Sequence, residues 1–344
     1  MAERVLTLVE LNRATLARQL LLQRRRTDTV AAIERLAGLQ AQWPPSPYIG
    51  LWSRSVRFRR DSLERAVRAG EILKPTLMRG TLHVVSARDY PMFYASLRDM
   101  PTWYGESHLA FALKHVDAVR SRAPITHNEG LAYLERAGVD DDHERRRIFH
   151  AVRRRAHLLH TPESALWRGR PQALFYAQAK PVRIDVLAAR TELVRRYLGA
   201  FGPASRADIA SWSGLRVADL AGAIDALEPL RRFRAESGRE LLDVARAPLP
   251  PADTPAPVRF LPKWDNTLFA HADRARVLPD ELRKAVVEAE GDVTQTFLVD
   301  GVVAGSWSYD KRGKVTTVPF APLPRAARRA VDDEAALLGA WLAA

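Results

Sequence analysis

Apolar positions along this chain recur with helical spacing in some stretches and alternate in others, and the two kinds follow a repeating order. The sharpest helical stripe is Val217, Leu220, Ile224 and Leu227, with spacings of 3, 4 and 3 that trace one face of a 3.6-residue period. Just before it, Ser205 and Asp208 have the form of a capping box, with Asp where Glu is usual. That box opens a short helix with Ile209 and Trp212 on its apolar side, and Ser213-Gly214 makes the turn. Residues 183–200 read as a preceding helix carrying Leu187, Leu193 and Leu198, broken by Phe201-Gly202-Pro203. Residues 231–244 read as a hairpin turning at Ser237-Gly238. A helix-turn-helix followed by a β-hairpin is the pattern of a winged helix.

The same grammar occurs twice more. Thr126 and Glu129 form a capping box opening a helix through Leu131 and Leu134, which Gly138 closes. A basic helix follows from Asp142 to about Arg155, and 157–175 contains strands around a turn at Arg168-Gly169-Arg170. Nearer the start, 6–23 reads as a helix, and Asp28 or Thr29 caps a second bearing Val30, Ile33, Leu36 and Ala37, with Gly38 at its end. A later helix is expected over about 61–69, and 72–85 has the look of a hairpin with Gly80 inside it. Pro44, Pro45 and Pro47 are expected to hold the intervening stretch out of any helix. After the proline-rich linker at 248–257 come a helix or loop near 264–271, strands at 293–299 and 302–309 around Asp300-Gly301, a further strand, and a closing helix from Pro324. The expected fold class is mainly α with β-hairpins (α+β). Three tandem winged helices would occupy 1–87, 88–180 and 181–250, with a β-containing C-terminal module over 251–344.

Composition narrows the function classes. No apolar run approaches the roughly 18 residues of a membrane span, and the first residues lack a basic-then-apolar leader. With no cysteine, disulfides and thiolate metal sites are excluded, and a cytoplasmic setting is expected. The formal charge of +13 points to an anionic polymer as partner. Only seven of the 53 cations are lysine, and arginine's planar fork suits phosphate oxygens. The helix bearing His143, Arg145, Arg146, Arg147, His150, Arg153, Arg154, Arg155 and His157 is either phosphate-facing or solvated. Its three histidines repeat every two turns, about 10.5 Å apart, too far to share one metal ion. The run Arg24-Arg25-Arg26 is open to the same two readings. Trp43, Tyr48 and Trp52 either stack on a base or fill core, and His83, near Arg79 on the first wing, either meets substrate or is satisfied by backbone. No Ser/His/Asp order, Walker loop, dinucleotide glycine pattern or HExxH motif supports the common hydrolase or nucleotide-binding schemes.

One pair stands apart. Gln40 and Gln42 follow the end of a short helix, and two amides one residue apart face the same side if the backbone there is extended. The stretch Gly38-Leu39-Gln40-Ala41-Gln42 resembles the Gln-x-Gln motif of the AlkZ/YcaQ family of winged-helix DNA glycosylases. So do Leu77-Met78-Arg79-Gly80-Thr81-Leu82-His83, Tyr197-Leu198-Gly199-Ala200-Phe201-Gly202-Pro203, and Phe260-Leu261-Pro262-Lys263-Trp264-Asp265-Asn266 running on to His271-Ala272-Asp273-Arg274-Ala275-Arg276. These segments keep family order over nearly the whole chain. The resemblance implies three winged helices lining a DNA channel, with Gln40 and Gln42 as the catalytic pair. It also places His271, Asp273, Arg274 and Arg276 close to DNA, although the same cluster can be read as a salt-bridged loop holding the third and fourth modules together. Arg79, His83, Trp43 and Arg153 complete the expected DNA contacts. Gln at position 42, where one branch has Asp, resembles the branch acting on bulky adducts and in self-resistance. Ala41 is smaller than the residue usual between the glutamines. The expected activity is monofunctional hydrolysis of the N-glycosidic bond of N7-alkylated guanine in double-stranded DNA. A monomer with no metal, no organic cofactor and no membrane partner is expected. The alternative is a non-catalytic winged-helix regulator, because most winged helices serve recognition alone.

Overall fold

The computed structural model describes residues 4–100, 106–169, 175–178, 184–288 and 291–344. Its first elements are β1 (Val5–Leu6), α1 (Leu8–Arg18), α2 (Thr29–Arg35), β2 (Leu39–Gln40), α3 (Pro45–Arg54), α4 (Arg60–Arg68), β3 (Ile72–Leu73) and β4 (His83–Ser86). From α2 onward this is helix–strand–helix–helix–strand–strand, and the sheet order β2-β4-β3 puts the first strand beside the last, as in a winged helix. The order repeats after α5 (Tyr90–Ser96) in α6 (Glu106–Arg120), β5 (Ile125–Thr126), α7 (His127–Arg136), α8 (Asp142–Arg155), β6 (Leu158–His160) and β7 (Phe175–Gln178), with sheet order β5-β7-β6. It repeats again in α9 (Val186–Phe201), α10 (Arg206–Ser213), α11 (Val217–Asp225), β8 (Arg231–Ala235) and β9 (Glu240–Asp243). There the first strand is reduced to Ala204, bridged to Leu242 of β9. The chain ends in β10 (Arg259–Leu261), α12 (Arg283–Val286), β11 (Thr296–Val299), β12 (Val302–Tyr309), β13 (Val315–Pro319) and α13 (Arg325–Ala343), with the four strands in sequential order. The fold class is thus mainly α with small sheets. Among the described residues, no helix is long and apolar enough to cross a membrane.

Local sequence explains most of the boundaries. Asp28 accepts from the Val30 and Ala31 amides, and the Thr126/Glu129 and Ser205/Asp208 boxes each form both of their reciprocal bonds. The turn near Arg168-Gly169 is present, while Arg170 and the expected boundary at 180/181 lie outside the described residues. Two expectations are corrected. The prolines after Gln42 do not exclude a helix: Pro45 and Pro47 fall in the first turn of α3, where an absent N–H costs nothing. The leading helix also begins later than 6, because Thr7 and Glu10 form a capping box and residues 5–6 become a strand parallel to β8.

The cores cross the sequence order. Trp52, Phe58 and Leu63 of the first unit pack with Phe260, Trp307, Val331 and Leu338 of the C-terminal module. Helix α1 lies on α9: Arg18 is fully buried, forks onto Asp243 at 2.6 and 2.9 Å, and donates to the Leu198 carbonyl. A second fully buried fork joins Arg54 on α3 to Asp265, at 2.9 and 2.8 Å. Asn12 reaches the carbonyls of Arg276 and Gly301 at 2.6 and 2.8 Å. At Gly301, with φ +82°, a Cβ would lie 2.5 Å from the Asn12 amide oxygen, so only glycine lets α1 approach this turn. The second unit differs, since its core of Ile125, Leu134, Ile148, Phe149 and Val152 draws on its own residues.

Candidate active site

Gln40 ends the short strand β2 and Gln42 follows at a bend, in a segment clamped between two helices. β2 runs antiparallel to β4, with Gln40 opposite His83, and the Ala41 amide donates to the Leu82 carbonyl at 2.8 Å. The two glutamines thus stand two residues apart across the strand end, with Ala41, 1% exposed, between them. Gly38 (φ +84°) turns the chain out of α2; a Cβ there would lie 2.9 Å from Val85, and Asn266 donates to the Gly38 carbonyl at 2.9 Å. The α3 helix follows at Pro45, so neither amide sits on a loose loop.

The partners of the two amides settle which way each points. The Gln40 Oε1 accepts from Arg79 Nη2 at 3.2 Å, and the Gln42 Oε1 accepts from the Leu82 amide at 3.3 Å. A guanidinium and a backbone N–H can only donate, so each oxygen must face its tether. Each amide then has its NH₂ group and a second lone pair to offer other partners. Gln40 is buried and Gln42 exposed, which makes Gln42 the outer member of the pair.

Arg79 occupies the tip of the first wing. Arg79 and Gly80 have φ of +55° and +73°, and the tip is closed by bonds from Leu77 to Thr81 and from Gly80 to Leu77, both 2.9 Å. Arg79 Nη1 donates to the Trp212 carbonyl at 2.6 Å, joining this wing to the third unit. Burial, and then the nearby charge of Arg274, push the Arg79 guanidinium down to about 10. His83 is fully buried, its Nδ1 donates to the Thr81 carbonyl at 3.1 Å, and burial and Arg79 lower its pKa to about 3. It is therefore a neutral strand histidine held by backbone through Nδ1, its buried Nε2 having no hydrogen-bond partner among the described residues, and not a cation facing substrate.

The 271–276 cluster is largely internal. His271 is 2% exposed, donates through Nε2 to the Phe201 carbonyl at 2.9 Å, and is lowered to about 3 by burial and Arg276. Arg276 is buried against the Pro203 carbonyl (3.2 Å) and the Thr15 hydroxyl (3.3 Å). The expectation that His271 enters a groove and Arg276 meets phosphate is corrected: His271 joins the C-terminal module to the third unit, and Arg276 joins it to the third unit and α1. Asp273 is exposed but paired with Arg239 at 2.9 Å. Arg274 is half-buried over the Phe269 ring and faces the Arg79 side.

The remaining candidates separate by packing. Trp43 is half-buried, 6.3 Å from Tyr309 between ring centroids, while Tyr48 and Trp52 are core. Arg24 is taken by Glu334 at 2.5 Å and by the Trp52 ring. Arg153 contacts His150 at 2.9 Å on α8, and His150 Nε2 lies 3.8 Å from where a Gly80 Cβ would stand, so α8 faces the wing tip. The His157 ring lies on Tyr94, 3.8 Å between centroids, which accounts for the last of the spaced histidines by packing. A cavity of about 900 Å³ lies elsewhere, between α4 and residues 161–169; neither glutamine lines it. Sequence reasoning missed the Arg79–Gln40 contact, because nothing in the spacing of 40 and 79 signals it.

The profile of the DNA glycosylase AlkZ-like family matches residues 33–341. A characterised relative, the interstrand DNA cross-link repair glycosylase of Streptomyces sahachiroi, is 25% identical over 93% of this chain and 92% of its own. The solved structure of Streptomyces sahachiroi DNA glycosylase AlkZ superposes with a TM-score of 0.81 at 20% identity, covering 98% of this chain and 97% of that one, and so shares the fold. With a family match running from α2 into α13, this chain belongs to the AlkZ-like DNA glycosylases.

Proposed function

We propose that this DNA glycosylase hydrolyses the N-glycosidic bond of N7-alkylated guanine in duplex DNA, using Gln40 and Gln42 to orient the attacking water and steady the sugar. The carrying observation is the pair of uncharged amides, two residues apart, each tethered through its oxygen to the first wing. N7 alkylation makes guanine cationic, so the base departs neutral and needs little acid assistance. What remains is an oxocarbenium-like sugar and a water to place beside it, which amide dipoles can do without a shifted pKa. The Streptomyces sahachiroi relative is named for repair of interstrand DNA cross-links, which supports a substrate range that extends beyond methylated bases.

Water, rather than an enzyme amine, is the proposed nucleophile. Lys74 is the lysine nearest the pair in sequence, and it is 4% exposed with Nζ donating to the Ser164 carbonyl at 2.7 Å. Burial lowers it to about 8, but its direction is already committed. A regulator reading fares worse. α4 holds the place of the helix whose N-terminal turn enters the major groove in DNA-reading winged helices. Here Arg60, at that turn, donates to the Trp341 and Leu342 carbonyls at 2.7 and 2.8 Å and lies between the Trp167 and Trp341 rings.

The test is to compare initial excision rates on N7-methylguanine, a bulky N7 adduct and uracil in one duplex context. Both cationic lesions are expected to be released far faster than uracil, whose departure places negative charge that no formal charge on Gln40 or Gln42 can meet. Uracil released at an equal rate would sink the proposal. We assign phosphate contacts to Arg153 and Arg274, which flank the wing tip, and expect the enzyme to act as a monomer. With about 5 to 8 phosphates contacted, log K against log[salt] should slope at roughly −5 to −7, and a flat plot would show that the positive charge serves another purpose.

A further inference from the structure

Among the described residues, Arg79 has two unlike hydrogen-bond partners and no carboxylate partner. Its Nη1 is held by the Trp212 carbonyl, in the last turn of α10, where backbone carbonyls lack helical partners and the helix dipole is negative. That end of α10 is itself fixed. Trp212 is fully buried, with ring centroids 5.2 Å from Tyr197 and 5.9 Å from Phe201. The next turn closes on Gly214 at φ +82°, where a Cβ would lie 3.2 Å from the Arg79 backbone and 2.7 Å from Met100 Sδ. The third unit thus sets the guanidinium from one side. From the other, Nη2 meets Gln40 Oε1 at 3.2 Å, and the two left-handed residues of the wing tip fix the backbone that carries it.

We propose that Arg79 is a positioning residue: it sets the amide orientation of Gln40 and makes that orientation depend on the docking of α10 against the first wing. Because arginine only donates, it holds the Gln40 oxygen inward and turns the amide NH₂ away from itself. The bond also polarises the amide, strengthening those N–H groups as donors. The catalytic pair is therefore assembled from two units separated by about half the chain, although both glutamines lie in one. This inference rests on the catalytic reading of Gln40.

A double-mutant cycle on the full chain tests it, with single-turnover excision of N7-methylguanine as the readout. Arg79→Met keeps an apolar stem and removes the fork. It is expected to slow excision about 10- to 100-fold, the scale of a misplaced reacting group, while DNA affinity and the salt slope stay within about 2-fold of wild type. In a Gln40→Ala background the same change should cost less than about 2-fold. Equal losses in both backgrounds, or a loss confined to DNA affinity, would overturn the proposal and make Arg79 a scaffold or phosphate residue. Gln40→Ala excising at the wild-type rate would instead overturn the catalytic reading, and this inference with it. A second readout needs no activity: the side-chain ¹⁵N–¹H₂ signals of Gln40 should shift in Arg79→Met while those of Gln42 stay in place. Unchanged Gln40 signals would refute the contact. If Arg79→Met fails to fold, Arg79→Lys replaces it in both measurements, keeping a cation at the end of α10 without the fork that reaches both oxygens.

Discussion

Replacing Gln40 and Gln42 together by alanine is expected to abolish base release while leaving DNA affinity nearly unchanged. Removing one preorganised transition-state dipole typically costs about 10²–10³ in rate, so losing both should take excision to the limit of detection. Affinity should hold because neutral amides displace no counterions from the phosphate backbone. Some stability is lost as well. Gln40→Ala strips an acceptor from Arg79 Nη2, and Gln42→Ala strips one from the Leu82 amide. Leaving the part-buried Arg79 donor unpaired costs up to about 1–3 kcal/mol, while water can replace the exposed Leu82 bond, so rates should be compared at a temperature where both proteins are folded. The measurement is single-turnover release of N7-methylguanine beside a binding titration on the same duplex. A double variant working at the wild-type rate would remove the catalytic assignment.

Asp265→Ala should have the largest effect on stability. Arg54 and Asp265 are fully buried, and the guanidinium also contacts the Thr267 hydroxyl at 3.0 Å and the Gly50 carbonyl at 3.0 Å. Deleting the carboxylate leaves a charge in the interior with no counter-charge, a change that costs about 3–5 kcal/mol. Denaturant unfolding at neutral pH would measure it, and a loss below about 1 kcal/mol would show that water reaches Arg54. The same pair sets an acid dependence. Burial would raise the Asp265 carboxyl, but Arg54 and the Thr267 groups outweigh it and hold the folded pKa below the usual range. A depressed folded pKa means the stabilisation is complete above the unfolded value of about 3.9, and is lost as pH falls through the folded pKa. Wild-type stability should therefore drop below about pH 4 more steeply than that of Asp265→Ala.

Local signals were readable and long-range ones were not. Asp28, the Thr126/Glu129 and Ser205/Asp208 boxes, and the Val217 stripe specify helix starts through contacts within a few residues, which a sequence displays directly. The helix at Pro45–Arg54 is hidden by its prolines, which break helices in the interior but are tolerated in the first turn. The strand at 5–6 was invisible, because its partner β8 lies more than 200 residues away. Resemblance alone singles out Gln40 and Gln42, since two amides one residue apart carry no chemical signature of their own. His271 and Arg276 misled for a related reason: polarity in sequence suggests solvent, yet both satisfy backbone carbonyls inside the protein. Arg79 was legible as a wing residue, but its grip on Gln40 depends on a carbonyl supplied by Trp212.

The crossing of the two chain ends has a consequence for any attempt to divide the molecule. β1 and α1, written first, lie on the third unit, where Leu6 and Leu11 pack with Phe233 and Leu241. α13, written last, lies on the first unit, with Trp341 against Trp52 and Phe58. A fragment starting at 27 would bare β8 as an open edge, the kind of strand that recruits another chain. A fragment stopping at 250 would strip the cover from Trp52 and Phe58. The units read as beads on a string, but the string is fastened like a clasp, and neither bead at its ends can be cut free with its surface intact. The second unit has a core of its own, yet it too touches the fastening, with Trp167 against Trp341 of α13.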